Sequence, residues 1–230
     1  MRRTIGAVCW LLGIEWFAGQ AIAQAAWRTP YRLSGNLVDD LGAVHCGPTR
    51  LPGLVAYVCS PLHDMMNVSF VLLGLLTIAG TLLLWDMWPR RRLATLGLSY
   101  LMLFGIGTVA VGLAPEDVDI AVHGEGFVGS LIGSAGILIL GLASLRTLGW
   151  RAAASILVGT AGFTGFVLLI TAPGLGVGTM ERLAEYPLPI WLAVLGAVEL
   201  TAARRRQTGR AETVTKDSVG IDPTSLTRDD

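Results

Sequence analysis

DMMNVSFVLLGLLTIAGTLLLWDMWPRRR, residues 64–92, decides the fold. Residues 64–86 form an apolar run long enough to cross a hydrocarbon core of ~30 Å as a helix rising ~1.5 Å per residue. Asp64 sits at its start, where an acid suits the helix dipole. Pro89 cannot continue the helix, and Arg90, Arg91 and Arg92 follow as a short basic turn. Under the positive-inside rule such a turn stays in the cytoplasm.

The same pattern recurs on both sides of this stretch. Apolar runs occupy 93–114, 126–145, 152–172 and 188–203 downstream, and 4–24 upstream. The composition agrees: 53% of the residues are hydrophobic and 15% charged, whereas soluble domains carry about 25% charged residues. A charge in hydrocarbon costs several kcal/mol, so such a chain is counted in membrane spans. Seven Trp against six Phe and four Tyr suit interfacial anchoring. No basic stripe points to nucleic acid.

The run at 4–24 has two readings. Arg2 and Arg3 before an apolar core, with Ala23-Gln24-Ala25 behind it, fit a cleaved secretory signal. Its length exceeds the ~7–15 residues of a signal core and favours a retained first helix. In either case the following residues lie outside the cytoplasm.

Charge alternation fixes the expected topology. Arg2/Arg3, Arg90–Arg92, Arg146/Arg151 and Arg204–Arg210 fall in alternate connections. Asp39, Asp40, Asp64, Glu116, Asp117, Asp119, Glu125, Glu181 and Glu185 fall in the others. The expectation is an all-α membrane protein, a six-helix transmembrane bundle over 1–206 with both termini cytoplasmic and a long first extracytoplasmic loop, in the plasma membrane. Residues 207–230 are polar without apolar period and read as a disordered cytoplasmic tail. Glycines inside the spans, among them the Gly129-x-x-x-Gly133 pair, read as close helix packing within the bundle.

The loop at 27–67 carries most of the unusual chemistry. Cys46 and Cys59 face an oxidising compartment, and Pro48, Pro52 and Gly53 let the chain turn back between them. A disulfide there would contribute roughly 3 kcal/mol by chain entropy; free thiols and metal ligands are the alternatives. The segment 51–59, too short to span, reads as a cap on the bundle. His45, His63 and His123 stand at the outer side near carboxylates. Imidazoles and carboxylates bind divalent metals and carry protons near neutral pH, but no tight ligand spacing is present, and helix-end groups facing water explain the same residues. Glu15, mid-way along the first run, is an intramembrane acid that needs a partner. Gly124-Glu-Gly126-Phe-Val-Gly129 matches a dinucleotide fingerprint only literally, since no strand precedes it.

These residues carry a resemblance. Asp40-Leu41-Gly42, Ser60-Pro61 with Met66-Asn67, Ala114-Pro115-Glu116-Asp117 with His123 behind it, and Glu181-Arg182 occur in an order and on a set of spans that resembles the "domain of unknown function 998" family. The resemblance covers roughly residues 5–203; Asp39 stands where the family pattern usually has Ser. It implies a six-span membrane fold and a set of suspect residues, not a reaction. Asp40, Ser60, Asn67, His123, Glu181 and Arg182 would converge on one outward-facing pocket, with Asp40, His123 and Ser60 as catalytic candidates.

Three functions compete on these grounds. One is a binding module for a small molecule or lipid. Another is a membrane enzyme, hydrolase-like and with a divalent metal as an optional cofactor, acting on a lipid or isoprenoid head group. The last is a proton-coupled carrier using Glu15. The sequence does not decide among them. The topology is testable at once: a cysteine placed at Ile120 should react with a membrane-impermeant thiol reagent in intact cells, and one at Leu148 only after permeabilisation. The reverse pattern would invert the orientation.

Overall fold

A computed structural model describes residues 1–28, 30–48 and 57–219 of the chain. Six helical stretches in it are long and apolar enough to cross a membrane: Arg2–Ala25, His63–Leu83, Arg92–Leu113, Ile120–Ser144, Trp150–Thr171 and Val177–Arg206. The bundle therefore fits a multi-pass membrane protein. Within a bilayer every backbone group must be satisfied inside the segment, which is why these apolar runs are helical.

The first span is two helices, α1 (Arg2–Leu12) and α2 (Glu15–Ala25). At Gly13 and Ile14 the ladder tightens: the amides of Ile14, Trp16 and Phe17 donate to carbonyls three residues back. The expectation of one continuous helix over 4–24 is corrected to a helix with a tight break beside Glu15. α3 (His63–Leu83), α4 (Arg92–Leu113), α5 (Ile120–Ser144) and α6 (Trp150–Thr171) follow. α5 starts six residues before the expected 126, so His123 and Glu125 lie on a helix and not in a loop.

The last span departs most from expectation. Residues 173–187 read as a loop, but Val177–Glu185 is a helix, α7, and Pro187–Val219 is another, α8. Gly176 makes this possible. Its φ of 99°, after the 3-10 turn Pro173–Leu175, is backbone that favours glycine, and it turns the chain from α6 into α7. Glu181, Arg182 and Glu185 are thereby carried into the bundle. α8 continues into the stretch read as a disordered tail; 220–230 lie outside the described residues.

Helices α3, α4, α5 and α6 pack side by side, α1 lies against α3 and α8, and α7 against α6. Glycines set the closest approaches. A Cβ on Gly107 of α4 would lie 2.5 Å from the Gly126 carbonyl of α5, and one on Gly97 2.8 Å from that of Gly136. Gly129 and Gly133 also face neighbours inside the bundle. The tryptophans are mostly core residues: Trp10, Trp16, Trp27, Trp88 and Trp191 are buried, contrary to the interfacial role expected of them. Trp10, Trp88 and Trp191 cluster near the arginine-rich end, with ring centroids 5.8 and 5.9 Å apart. There Arg151 pairs with Glu199 at 2.6 Å and Arg3 with Asp86 at 3.4 Å.

At the opposite, acidic end lies the long loop. Cys46 and Cys59 are joined in a disulfide beside a two-stranded pairing of β1 (Gly47–Pro48) with β2 (Tyr57–Val58). Of the expected cap at 51–59, residues 51–56 lie outside the described residues. What covers the acidic end is Asn36–Ala43, buried at every residue and containing the 3-10 turn Asp39–Gly42.

The glycine contacts give a stability prediction. Gly107→Val forces α4 and α5 apart and should cost about 1–3 kcal/mol, the usual range for overpacking, read as a lowered thermal midpoint in detergent; an unchanged midpoint would refute this packing.

Candidate functional site

The site is built on Tyr31–Gly42, an irregular segment held at the acidic end of the bundle. Irregular backbone has no ladder of its own, so its buried groups need side-chain partners. Arg182 of α7 supplies much of this. Its Nη1 donates to the carbonyls of Leu33, Asn36 and Gly178 at 2.8–2.9 Å, and its Nη2 to the Tyr31 hydroxyl at 2.5 Å. Tyr31 in turn donates to the Leu37 carbonyl. Glu181, one residue earlier on α7, accepts the Val38 amide at 2.5 Å and the Asp39 amide at 3.4 Å. Ser60 donates to the Leu41 carbonyl at 2.6 Å, and Asn67 of α3 to that of Gly42 at 2.9 Å. A Cβ at Gly42 would run into the Asn67 amide oxygen, so a larger residue there must push the Asn67 side chain out of its present place.

Asp40 is fully buried. It accepts the Leu37 amide at 2.9 Å and the Asn36 side chain at 3.1 Å. Burial, set against those bonds, holds its carboxyl above the usual range. Glu116 in the α4–α5 connection is its partner. Burial and the charges of Asp39 and Asp40 push Glu116 up to about 9, so it keeps its proton at pH 7 and donates to the Asp40 carboxylate. Two carboxyls in contact share one proton because both cannot ionise.

Asp39, beside Asp40, points to other partners. His123 of α5 lies with Nε2 3.0 Å from Asp39 Oδ2 and Nδ1 2.9 Å from the Ala114 carbonyl. That carbonyl can only accept, so Nδ1 carries a hydrogen. The Nε2–Asp39 contact then needs one further proton, and the pair is electrically neutral whichever atom holds it. Asp39, Glu181 and Glu185 each place a carboxylate oxygen within 4.8 Å of the others, and all three residues are buried. Asp39 Oδ1 and Glu185 Oε2 are buried without a hydrogen-bond partner.

A cavity of about 770 Å³ opens over Asp39 and Glu181. Its polar floor includes Asp39, Glu116, His123 and Glu181, and its apolar walls include Leu37, Ile120, Phe127, Leu169 and Ile170. Ile120 and Ile170 are exposed, so the apolar wall reaches the outer surface of the bundle.

The residues singled out from sequence divide into two groups. His123, Asp40, Glu181 and Arg182 come together, though Asp40 and Arg182 are spent on holding the segment. Ser60 and Asn67 grip it from the other side through its carbonyls. The three histidines do not assemble. His45 is exposed and pairs with Asp117 at 2.9 Å, and His63 bonds to the Ser60 carbonyl and lies 3.4 Å from Asp64. Among the described residues, the group able to hold a metal is three carboxylates without histidine. Sequence reading overlooked Asp39, Glu116 and Glu185 as site residues. Glu181 and Glu185 stand four apart, the spacing that puts two side chains on one helix face, a signal hidden while 173–187 read as a loop. Glu15, at the break between α1 and α2, accepts from Ser69 of α3 at 2.9 Å.

The family model described as "Protein of unknown function (DUF998)" matches residues 11–198, and the chain belongs to this family. No curated protein and no solved structure matches the chain.

The Asp117 contact joins the two loops and responds to pH in a defined direction. Burial raises the Asp117 carboxyl, but bonds from the His45 amide, the Val44 amide and the His45 ring outweigh it and hold the group below the usual range. A lowered folded pKa contributes stability that is complete above the unfolded value near ~3.9 and lost as pH falls through the folded one. Asp117→Asn should therefore be less stable than the parent by about 1–2 kcal/mol near neutral pH, with the gap closing below about pH 4. Thermal midpoints across that range test it; a gap that widens in acid would refute the assignment.

Proposed function

We propose that the protein binds an amphipathic small molecule or lipid in the cavity above Asp39, Glu181 and His123, from the extracytoplasmic side of the plasma membrane. The observation that carries this reading is the two-sided lining of the cavity. A polar floor of buried carboxyls and an imidazole meets walls of Phe127, Leu169 and Ile170. Ligand sites combine mostly apolar lining with a few placed polar groups in just this way, and volumes of ~300–1,000 Å³ suit a small molecule. A polar head would sit on the floor, and an apolar part along Ile120 and Ile170. The alternation of arginine-rich and acid-rich connections supports placing this end outside the cell, with both termini inside.

A membrane enzyme is the second reading, and the Asp39–His123 pair favours it. The Ala114 carbonyl fixes Nδ1, so Nε2 and Asp39 share a proton that Asp39, on the cavity floor, would exchange with a bound head group. Its substrate class would be the head group of the same ligand.

Gly124 offers a clean test of binding. It lines the cavity, and a Cβ there meets nothing within 4 Å. Gly124→Phe should fill the cavity while leaving the α5 packing intact. Native mass spectrometry of the wild type should show a co-purifying lipid or metabolite that the variant loses, at an unchanged or higher thermal midpoint. A bound species held equally by both, or none on the wild type after reconstitution with cell lipid extract, would overturn the proposal.

A further inference from the structure

The floor of the cavity contains more acid than its folding role consumes. Glu181 gives its oxygens to two backbone amides, and Asp40 gives its own to Asn36, Leu37 and Glu116. Asp39 uses only Oδ2, for His123. Glu185 makes no hydrogen bond through Oε2, although the residue is 7% exposed and Asp39 5%. A buried carboxylate oxygen with no donor is costly, because burial removes its water and nothing replaces it. Two such oxygens in one group, beside Glu181, call for a positive species among them.

We infer that Asp39, Glu181 and Glu185 form a binding site for one hard divalent cation of the magnesium, calcium or manganese class. The spacing agrees. Oxygens bound at ~2.1–2.4 Å lie roughly 3 Å apart when adjacent and up to about 4.8 Å when opposite, and the three donors lie within 4.8 Å of one another. The unpaired atoms agree as well. Asp39 Oδ1 and Glu185 Oε2, the two buried oxygens without a donor, belong to two of the site's three members. The donor set is all carboxylate, which selects hard cations over thiolate- or imidazole-preferring ones. His123 is a positioning residue in this arrangement. It occupies Asp39 Oδ2 and leaves Oδ1 for the ion, as groups behind metal ligands commonly do.

The consequence for the ligand rests on the binding reading of the cavity. Asp39 and Glu181 line the cavity floor, and three protein oxygens leave coordination positions open on that side. An ion there selects a head group with anionic oxygens, a phosphate or a carboxylate.

Manganese is the probe, because its free ion has an electron paramagnetic resonance signal that vanishes on tight binding. The full chain in nanodiscs of neutral lipid, without added ligand, should retain about one manganese per chain, displaced by excess calcium or magnesium. Glu185→Gln and Asp39→Asn should each weaken retention by at least about tenfold, while Asp119→Asn, an exposed acid nearby, leaves it unchanged. The ion should also raise the thermal midpoint of the wild type and not of Glu185→Gln, so a variant that folds with altered stability is still informative. No retention by the folded wild type overturns the inference, whatever the variants do. So does retention that survives Glu185→Gln, or that Asp119→Asn abolishes equally. Failure here leaves the Gly124→Phe result untouched, and loss of the co-purifying ligand leaves manganese binding untouched, so the two readings fall separately.

Discussion

The backbone of Tyr31–Gly42 must be satisfied without a helix or a sheet. Several polar side chains at this end of the bundle answer that need. Arg182 covers carbonyls of Leu33 and Asn36, Tyr31 that of Leu37, Ser60 that of Leu41 and Asn67 that of Gly42. Glu181 and Asp40 cover the amides of Val38, Asp39 and Leu37. The segment docks because residues from α3, α7 and the connection before α3 each supply one end of a hydrogen bond. Removing any of them strands a buried partner, which costs more than the bond itself contributed.

This separates structural residues from residues with chemistry to spare. Family-like positions such as Ser60, Asn67 and Arg182 have their bonding capacity directed at backbone. Asp39 and Glu185 have buried oxygens without a donor, and His123 spends one nitrogen on the Ala114 carbonyl and the other on Asp39. With Glu181, these last face a cavity or one another, so the functional centre is narrower than the set of polar residues around it. Glu15 belongs to neither group: its hydrogen bond is to Ser69, and among the described residues none links it to the acids of α7.

Much of the architecture was legible in the sequence because a bilayer leaves few alternatives. Apolar length gives the six spans, and their number and the disulfide pair appear as the sequence implied. What was not legible had local causes. The break at Gly13 in the first span is one glycine beside an acid, and glycines occur in every other span without breaking it. The segment 173–187 holds Pro173, Gly174, Gly176, Gly178 and Pro187, the composition of a loop, yet Gly176 uses its left-handed backbone to start a helix. Misreading that segment hid the Glu181–Glu185 spacing and so the place of Glu185 in the carboxylate group. The role of Asp39 was hidden for another reason: Asp39 and Asp40 are neighbours in sequence and bond in opposite directions, which follows from the 3-10 turn they occupy.

That turn explains why the two acids have different fates. In a tight turn consecutive side chains diverge, so Asp40 is directed back onto its own segment and Glu116, while Asp39 reaches across to His123 on α5 and the acids on α7. One short helix thus places one carboxyl in the scaffold and the next in the cavity floor. The three elements meeting at Asp39 are held by different contacts: α5 against α4 through Gly107 and Gly126, α7 against α6 where a Cβ at Gly165 would meet the Leu183 and Ala184 backbone, and the loop through Arg182. A centre assembled from three independently fixed elements is preorganised. Its like charges are held together by the packing of the whole bundle, so their repulsion is relieved by a bound proton or cation more readily than by separation of the elements that carry them.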